Sequence, residues 1–179
     1  DELKSILKKK DENFSGEKND ENAWQSSLNE KQILDILTSL RSVYKFQIGV
    51  DIAASTFYSR KKYNYNNPKL TRTMEEQQEY IKSLINNSSL VYVEDPFEEN
   101  DFDNFSELKK SFPGTLIVGD DLIATNPARL ERAIELQSIS AVIVKPNQIG
   151  SLLKVKEVCD LCKEHRIKTI FSHRSGETA

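Results

Sequence analysis

Cysteine is scarce. Cys159 and Cys162 are the two in 179 residues, three apart in a helical pattern, which excludes the disulfide framework of a small secreted domain and makes a reducing compartment the default. Long apolar runs are absent too: no stretch reaches the roughly 20 residues that cross a bilayer, and the opening DELKSILKKK has no apolar signal core. No membrane association is expected. Neither sign of charge dominates, since 25 Lys and Arg against 28 Asp and Glu leave −3. With a pI of about 5.6 this removes the global electrostatic case for binding nucleic acid. The six glycines form neither a dinucleotide fingerprint nor a phosphate loop ending in Lys and Ser or Thr; Gly49 and Gly119 stand alone before acids. Hydrophobic residues make up a lean 37%, although six Tyr and eight Phe supply bulky core material, and the length suits one domain.

What is present is a repeating unit. The first thirty residues are charged, broken by Asn and Gly, and read as loop. From Glu30 to about Val43, Ile33, Ile36, Leu37 and Leu40 recur at helical spacing, and the strand KFQIGVD follows, ending in Asp51. The Asn-rich YSRKKYNYNNP reads as a surface excursion whose tyrosines pack locally. Next comes a helix over TRTMEEQQEYIKSLINN, with Thr71 or Thr73 as cap, and then the strand LVYVEDP, which stops at Glu94 before Pro96. A helix with Phe105 and Leu108 precedes TLIVGDD. Asn126 and Pro127 then supply a cap and first-turn proline for NPARLERAIEL, which yields to AVIVKPN. Last, GSLLKVKEVCDLCKEH presents Leu152, Val155, Val158, Cys159 and Cys162 as an apolar stripe before the strand IKTIFSH. Short, continuous apolar strands alternating with helices predict a parallel sheet. Either a doubly wound open sheet or part of a beta/alpha barrel satisfies the pattern, and five units cannot close an eight-stranded barrel.

Polar residues end these strands: Asp51, Glu94, Asp120 with Asp121, Lys145, and Ser172 with His173. In both architectures ligands gather at the carboxyl ends of parallel strands, so these groups can converge despite their separation in sequence. Three converging carboxylates repel one another, and a hard divalent cation relieves that; magnesium fits oxygen ligands better than zinc, since neither His is near the acids in the repeat. A lysine on the same rim can act as a base if nearby positive charge and desolvation favour its neutral form, a combination suited to removing a proton beside a carboxylate. Each residue alone has a plainer reading. A strand-end acid is commonly a cap, Lys145 a solvated lysine, His173 a loop brace and Arg174 a surface ion-pair residue; repetition along the chain favours the chemical one. The series Cys159, Cys162 and His165 lacks a fourth ligand and reads as packing cysteines with a solvent-facing His165.

Ordered motifs then narrow the choice. VDIAAS (50–55), VEDPFEEND (93–101), GDDLIATNP (119–127), KPNQIG (145–150) and SHRSGET (172–178) resemble the barrel domain of the enolase family, the phosphopyruvate hydratases, from roughly Asp20 onward. The resemblance implies an α/β fold, a fragment of an enolase-type TIM barrel with about five consecutive parallel strand-helix units. It implies Asp51, Glu94 and Asp120 as the carboxylate ligands of Mg2+, with Ser172 associated with a second magnesium. Lys145 matches the base that takes the proton from carbon 2 of 2-phosphoglycerate, while His173, Arg174 and Ser175 resemble substrate-loop residues, the last two on the phosphate. NDENAW (19–24) resembles an altered form of the family's acid loop, placing Glu21 where a glutamate helps the hydroxyl depart, with Asn22 in place of a Gly and Ser26 in place of a Pro.

On this basis residues 1–29 are expected to be a polar segment carrying the altered acid loop, and 30–179 an incomplete catalytic barrel, with the family's amino-terminal domain absent. The implied parent is a cytoplasmic homo-oligomer that turns 2-phosphoglycerate into phosphoenolpyruvate, and the isolated 179 residues are expected to be inactive. Two other functions fit the residues: a noncatalytic structural or interaction protein derived from enolase, and an enolase-superfamily lyase or isomerase acting on another acid.

Overall fold

The computed structural model describes residues 2–173. The described residues divide into two compact units, one of residues 2–46 with His173, the other of 47–172.

In the first unit, α1 (Glu2–Lys10) and α2 (Glu30–Tyr44) pack through Leu7, Ile36 and Leu40, joined by Leu3, Ile6, Phe14, Trp24, Leu28, Ile33 and Phe46. The opening residues are therefore not loop, as the charge-rich sequence suggested. Leu3, Ile6 and Leu7 recur at three- and four-residue spacing, enough to bury one stripe of a nine-residue helix whose remaining positions are charged or polar. Asn29 caps α2 by accepting from Gln32 N, while the Gln32 side chain accepts from Asn29 N, both at 3.0 Å.

The second unit is built on β1 (Gly49–Asp51), β5 (Tyr92–Glu94), β6 (Leu116–Gly119), β7 (Ala141–Val144) and β8 (Lys168–Phe171), all parallel in that spatial order. Helices α3 (Met74–Ser88), α4 (Phe102–Ser111), α5 (Pro127–Glu135) and α7 (Leu152–Glu164) connect the strands, with the short α6 (Pro146–Ile149) after β7. Thr73 caps α3 in a box with Glu76, and Asn126 caps α5 ahead of Pro127. The sheet is a run of strand-helix units of the barrel type, not closed among the described residues.

Its faces are set by the two-residue period of a strand. Val118, Ala141 and Ile143 cluster on one face with Tyr92, Leu116 and Ile170. Continuing the same period by one step on each strand reaches Glu94, Asp120, Lys145 and Ser172. The apolar layer thus fixes which face the polar strand ends share.

Two sequence expectations need correction here. The Asn-rich excursion is an antiparallel sheet, β2 (Tyr58–Ser59), β3 (Lys62–Asn66) and β4 (Lys69–Arg72). Its alternation buries Tyr63 completely, and the Tyr63 hydroxyl accepts Glu98 N at 3.1 Å; Arg72 stacks on Tyr65 and Tyr80 at 4.1 and 3.6 Å from the ring centres. Aromatic faces supplied a core that polar composition concealed. In α7, Val155, Val158 and Cys162 are buried, but Leu152 is 77% exposed at the first helical position, before the stripe turns inward.

Candidate active site

Glu94 and Asp51 are directly in register on neighbouring strands β5 and β1, and Asp120 follows β6 by one residue. Among the described residues, Glu94, Asp95 and Asp120 bring carboxylate oxygens within 4.8 Å of one another. Burial pushes the Glu94 carboxyl up to about 7, with Asp51 and Asp120 adding to the rise while the Tyr92 hydroxyl and Lys145 oppose it. Desolvation also raises Asp51, although the residue as a whole is exposed; the Ala53 amide and Lys145 lower it, and Asp120 and Asp121 raise it further. Lys145, the residue after β7, donates from Nζ to Asp120 Oδ2. Of the sequence-predicted residues, Glu94 and Asp120 share the close carboxylate cluster and Lys145 bonds Asp120, while Asp51 acts on them electrostatically from the neighbouring strand without entering that cluster.

Ser172 follows β8 by one residue and donates its amide to Val144 O at 3.1 Å. Glu21 and His173 belong to the other compact unit. There Glu21 sits in a tight turn: Asn19 Oδ1 accepts the amides of Glu21 and Ala23 at 3.1 and 2.9 Å, and Asn22 takes a positive φ of 63°. Asn tolerates that left-handed region better than most non-glycine residues. Ser26 donates to Asp11 Oδ2 at 2.7 Å, and Ser27 to Asp11 Oδ1 at 2.5 Å. Arg174 and Ser175 lie outside the described residues.

Sequence reasoning gave no role to four residues of this neighbourhood. Asp95 is 2% exposed, and its two oxygens accept Asp120 N at 3.1 Å and Asp121 N at 2.7 Å. Desolvation pushes its carboxyl up to about 7. Tyr92 donates its hydroxyl to Glu94; the signal was its place two residues earlier, hence on the same face. Gly49 leaves room for that ring, since a Cβ there would lie 3.0 Å from Tyr92 Cβ. Thr125 Oγ1 accepts Lys145 N at 2.9 Å and Gln148 Nε2 donates to Asp120 Oδ1 at 3.3 Å, and both residues lie inside motifs whose acids and lysine are the more conspicuous groups.

The donor set suits a hard divalent cation. It offers carboxylate oxygens without thiolate or imidazole, gathered in a water-poor setting where desolvation and their mutual repulsion raise the Glu94 carboxyl.

The family model for "Enolase, C-terminal TIM barrel domain" matches residues 1–179. The chain belongs to the enolase family. It is 44% identical over 182 residues to an enolase of Pyrobaculum aerophilum, an alignment covering 98% of this chain and 43% of that protein. An enolase of Methanosphaera stadtmanae is 40% identical over 185 residues, with 98% and 45% covered, and one of Picrophilus torridus 41% over 166 residues, with 89% and 41% covered. The chain thus spans less than half the length of these enolase relatives. No helix among the described residues is long and apolar enough to cross a membrane.

Proposed function

We propose that the whole protein carrying this chain dehydrates 2-phosphoglycerate to phosphoenolpyruvate with magnesium as cofactor. The observation that carries the proposal is the convergence of Asp51, Glu94, Asp120 and Lys145 at neighbouring strand ends.

In this reading Asp51, Glu94 and Asp120 hold Mg2+, and Ser172 assists a second ion. A bound divalent cation supplies positive charge against the dianionic species that results when carbon 2 loses its proton, and takes up the carboxylate charge that Asp120 otherwise directs at Lys145. Lys145 must be neutral to act. A carboxylate partner stabilises its ammonium form, so its present ion pair with Asp120 has to be exchanged before Nζ can accept the carbon 2 proton. Glu21 then donates a proton to the carbon 3 hydroxyl, which departs as water while the carbon 2 to carbon 3 double bond forms. His173, Arg174 and Ser175 hold the substrate, the last two through its phosphate. Residues 30–179 form the catalytic barrel portion and 1–29 carry the acid loop; cytoplasmic location and homo-oligomeric assembly belong to the same proposal.

The test is phosphoenolpyruvate formation by the whole purified protein with 2-phosphoglycerate and Mg2+. Lys145→Ala should lower kcat on the order of 10²-fold to 10⁴-fold, the range for a positioned acid or base. Turnover confined to phosphate-free hydroxyacids, or a properly folded protein with no turnover, would reject the assignment.

A further inference from the structure

Lys145 and Asp120 are joined twice, once directly and once through a second path. Lys145 Nζ donates to Asp120 Oδ2. Lys145 N donates to Thr125 Oγ1 at 2.9 Å, Thr125 Oγ1 donates to Gln148 Oε1 at 2.7 Å, and Gln148 Nε2 donates to Asp120 Oδ1 at 3.3 Å. The bonds form a closed ring running from the lysine backbone, through a hydroxyl and an amide, across the carboxylate and back to the lysine side chain. Each polarity is determined. The Lys145 amide can only donate, so the Thr125 hydroxyl accepts it and turns its own hydrogen to Gln148 Oε1, leaving the Gln148 amino group for the carboxylate.

We infer that Thr125 and Gln148 are positioning residues, Thr125 fixing the Lys145 backbone and Gln148 the Asp120 carboxylate so that both stay placed when their ion pair is exchanged, an inference that rests on the function proposed above. Three observations carry it. Thr125 is fully buried, and its hydroxyl accepts the Lys145 amide while giving its one hydrogen to Gln148 Oε1. It is also held at φ +52°, directly after Ala124 at φ +50°. A β-branched residue in the left-handed region is unfavourable, and Asn or Gly would suit a turn there better if the turn were its whole purpose. The hydroxyl accounts for the choice. Finally, Lys145 is the N-cap of α6 and Gln148 its third residue, and their side chains reach the two oxygens of one carboxylate, Oδ2 and Oδ1 of Asp120. Engaging both oxygens fixes the rotation of the Asp120 carboxylate as well as its position.

The test uses Thr125→Val, Thr125→Ser and Gln148→Met in the whole protein, with two readouts. At saturating Mg2+, Thr125→Val and Gln148→Met should lower kcat for 2-phosphoglycerate by about 10-fold to 100-fold, the scale of an ångström-level misplacement, with KM within about threefold. Thr125→Ser should restore kcat to within about threefold. In the metal-free protein, amide hydrogen exchange at Lys145 should accelerate at least about tenfold in Thr125→Val and not in Thr125→Ser. Wild-type kcat in both disrupting variants, or a Thr125→Ser enzyme as impaired as Thr125→Val, would overturn the inference. Unchanged Lys145 exchange in a folded Thr125→Val protein would do so too. If Thr125→Val does not fold, Gln148→Met at its partly exposed position decides by the same kcat and KM criterion. A wild-type protein without turnover rejects the functional reading, and the exchange readout still decides whether the hydroxyl holds the lysine backbone.

Discussion

Replacing Asp95 with Asn should stabilise the metal-free protein at pH 8. Asp95 is 2% exposed beside Glu94 and Asp120, and its carboxyl midpoint is pushed from 3.8 up to about 7, chiefly by desolvation. The folded-state value is raised, so between about pH 4 and 7 the folded chain holds a proton that the unfolded chain has released. Stability therefore falls as pH rises through that window and levels off above it. At about 1.4 kcal/mol per pH unit, the full effect is roughly 4 kcal/mol. Asn carries no charge, but its single oxygen can accept only one of the two amides, Asp120 N or Asp121 N, and its amino group faces the other donor, which costs about 1–3 kcal/mol at every pH. Urea unfolding in EDTA, followed by far-ultraviolet circular dichroism at pH 5, 6, 7 and 8, should show Asp95→Asn gaining about 3 kcal/mol on wild type between pH 5 and pH 8, which leaves it ahead by about 1–3 kcal/mol at pH 8 once the lost amide bond is set against the charge effect. Added Mg2+ should narrow the gap, because a cation favours the ionised acids. A variant less stable than wild type at pH 8 in EDTA, or a gap that does not shrink toward pH 5, would refute the reasoning.

Gly49→Ala places a methyl group 3.0 Å from Tyr92 Cβ, an overpacking expected to cost about 1–3 kcal/mol in thermal unfolding and to loosen the Tyr92 to Glu94 bond. Asp11 behaves in the opposite sense to Asp95. The hydroxyls of Ser27 and Ser26 hold its carboxyl down at about 2, so its contribution is complete above about pH 4 and is lost as pH falls through about 2. Asp11→Ala should accelerate amide exchange at Ser27, whose N donates to Asp11 Oδ2 at 2.7 Å, and should abolish the part of acid unfolding that lies in that window; unchanged exchange would count against it.

The parallel sheet was legible because each strand is a short apolar run closed by a polar residue, and the Thr73 and Asn126 caps were legible because their side chains act on the next few amides. The convergence of Asp51, Glu94, Asp120 and Lys145 followed from topology, since parallel strands deliver their carboxyl ends to one rim. What escaped depends on partners distant in sequence or on atypical core chemistry. Tyr63 is buried among rings in a polar-looking segment, and Arg72 packs as a flat cation on Tyr65 and Tyr80. Helix α1 hid its three apolar residues among charges. Asp95 and Thr125 stand one and four or more residues from conspicuous neighbours, and their roles reside in bonds to Asp120, Asp121, Lys145 and Gln148 that no local period encodes.

The chain contains a single tryptophan, and it stands three positions after Glu21. Phe14 meets the Trp24 indole edge-on with centres 6.0 Å apart, while the ammonium groups of Lys4 and Lys18 lie over its ring at 4.8 and 4.5 Å. This segment consequently carries a native optical probe. Any rearrangement that draws Lys18 away from the indole changes the charge beside this chain's one tryptophan, so the unlabelled chain in a stopped-flow fluorimeter reports a change at this segment through its own emission.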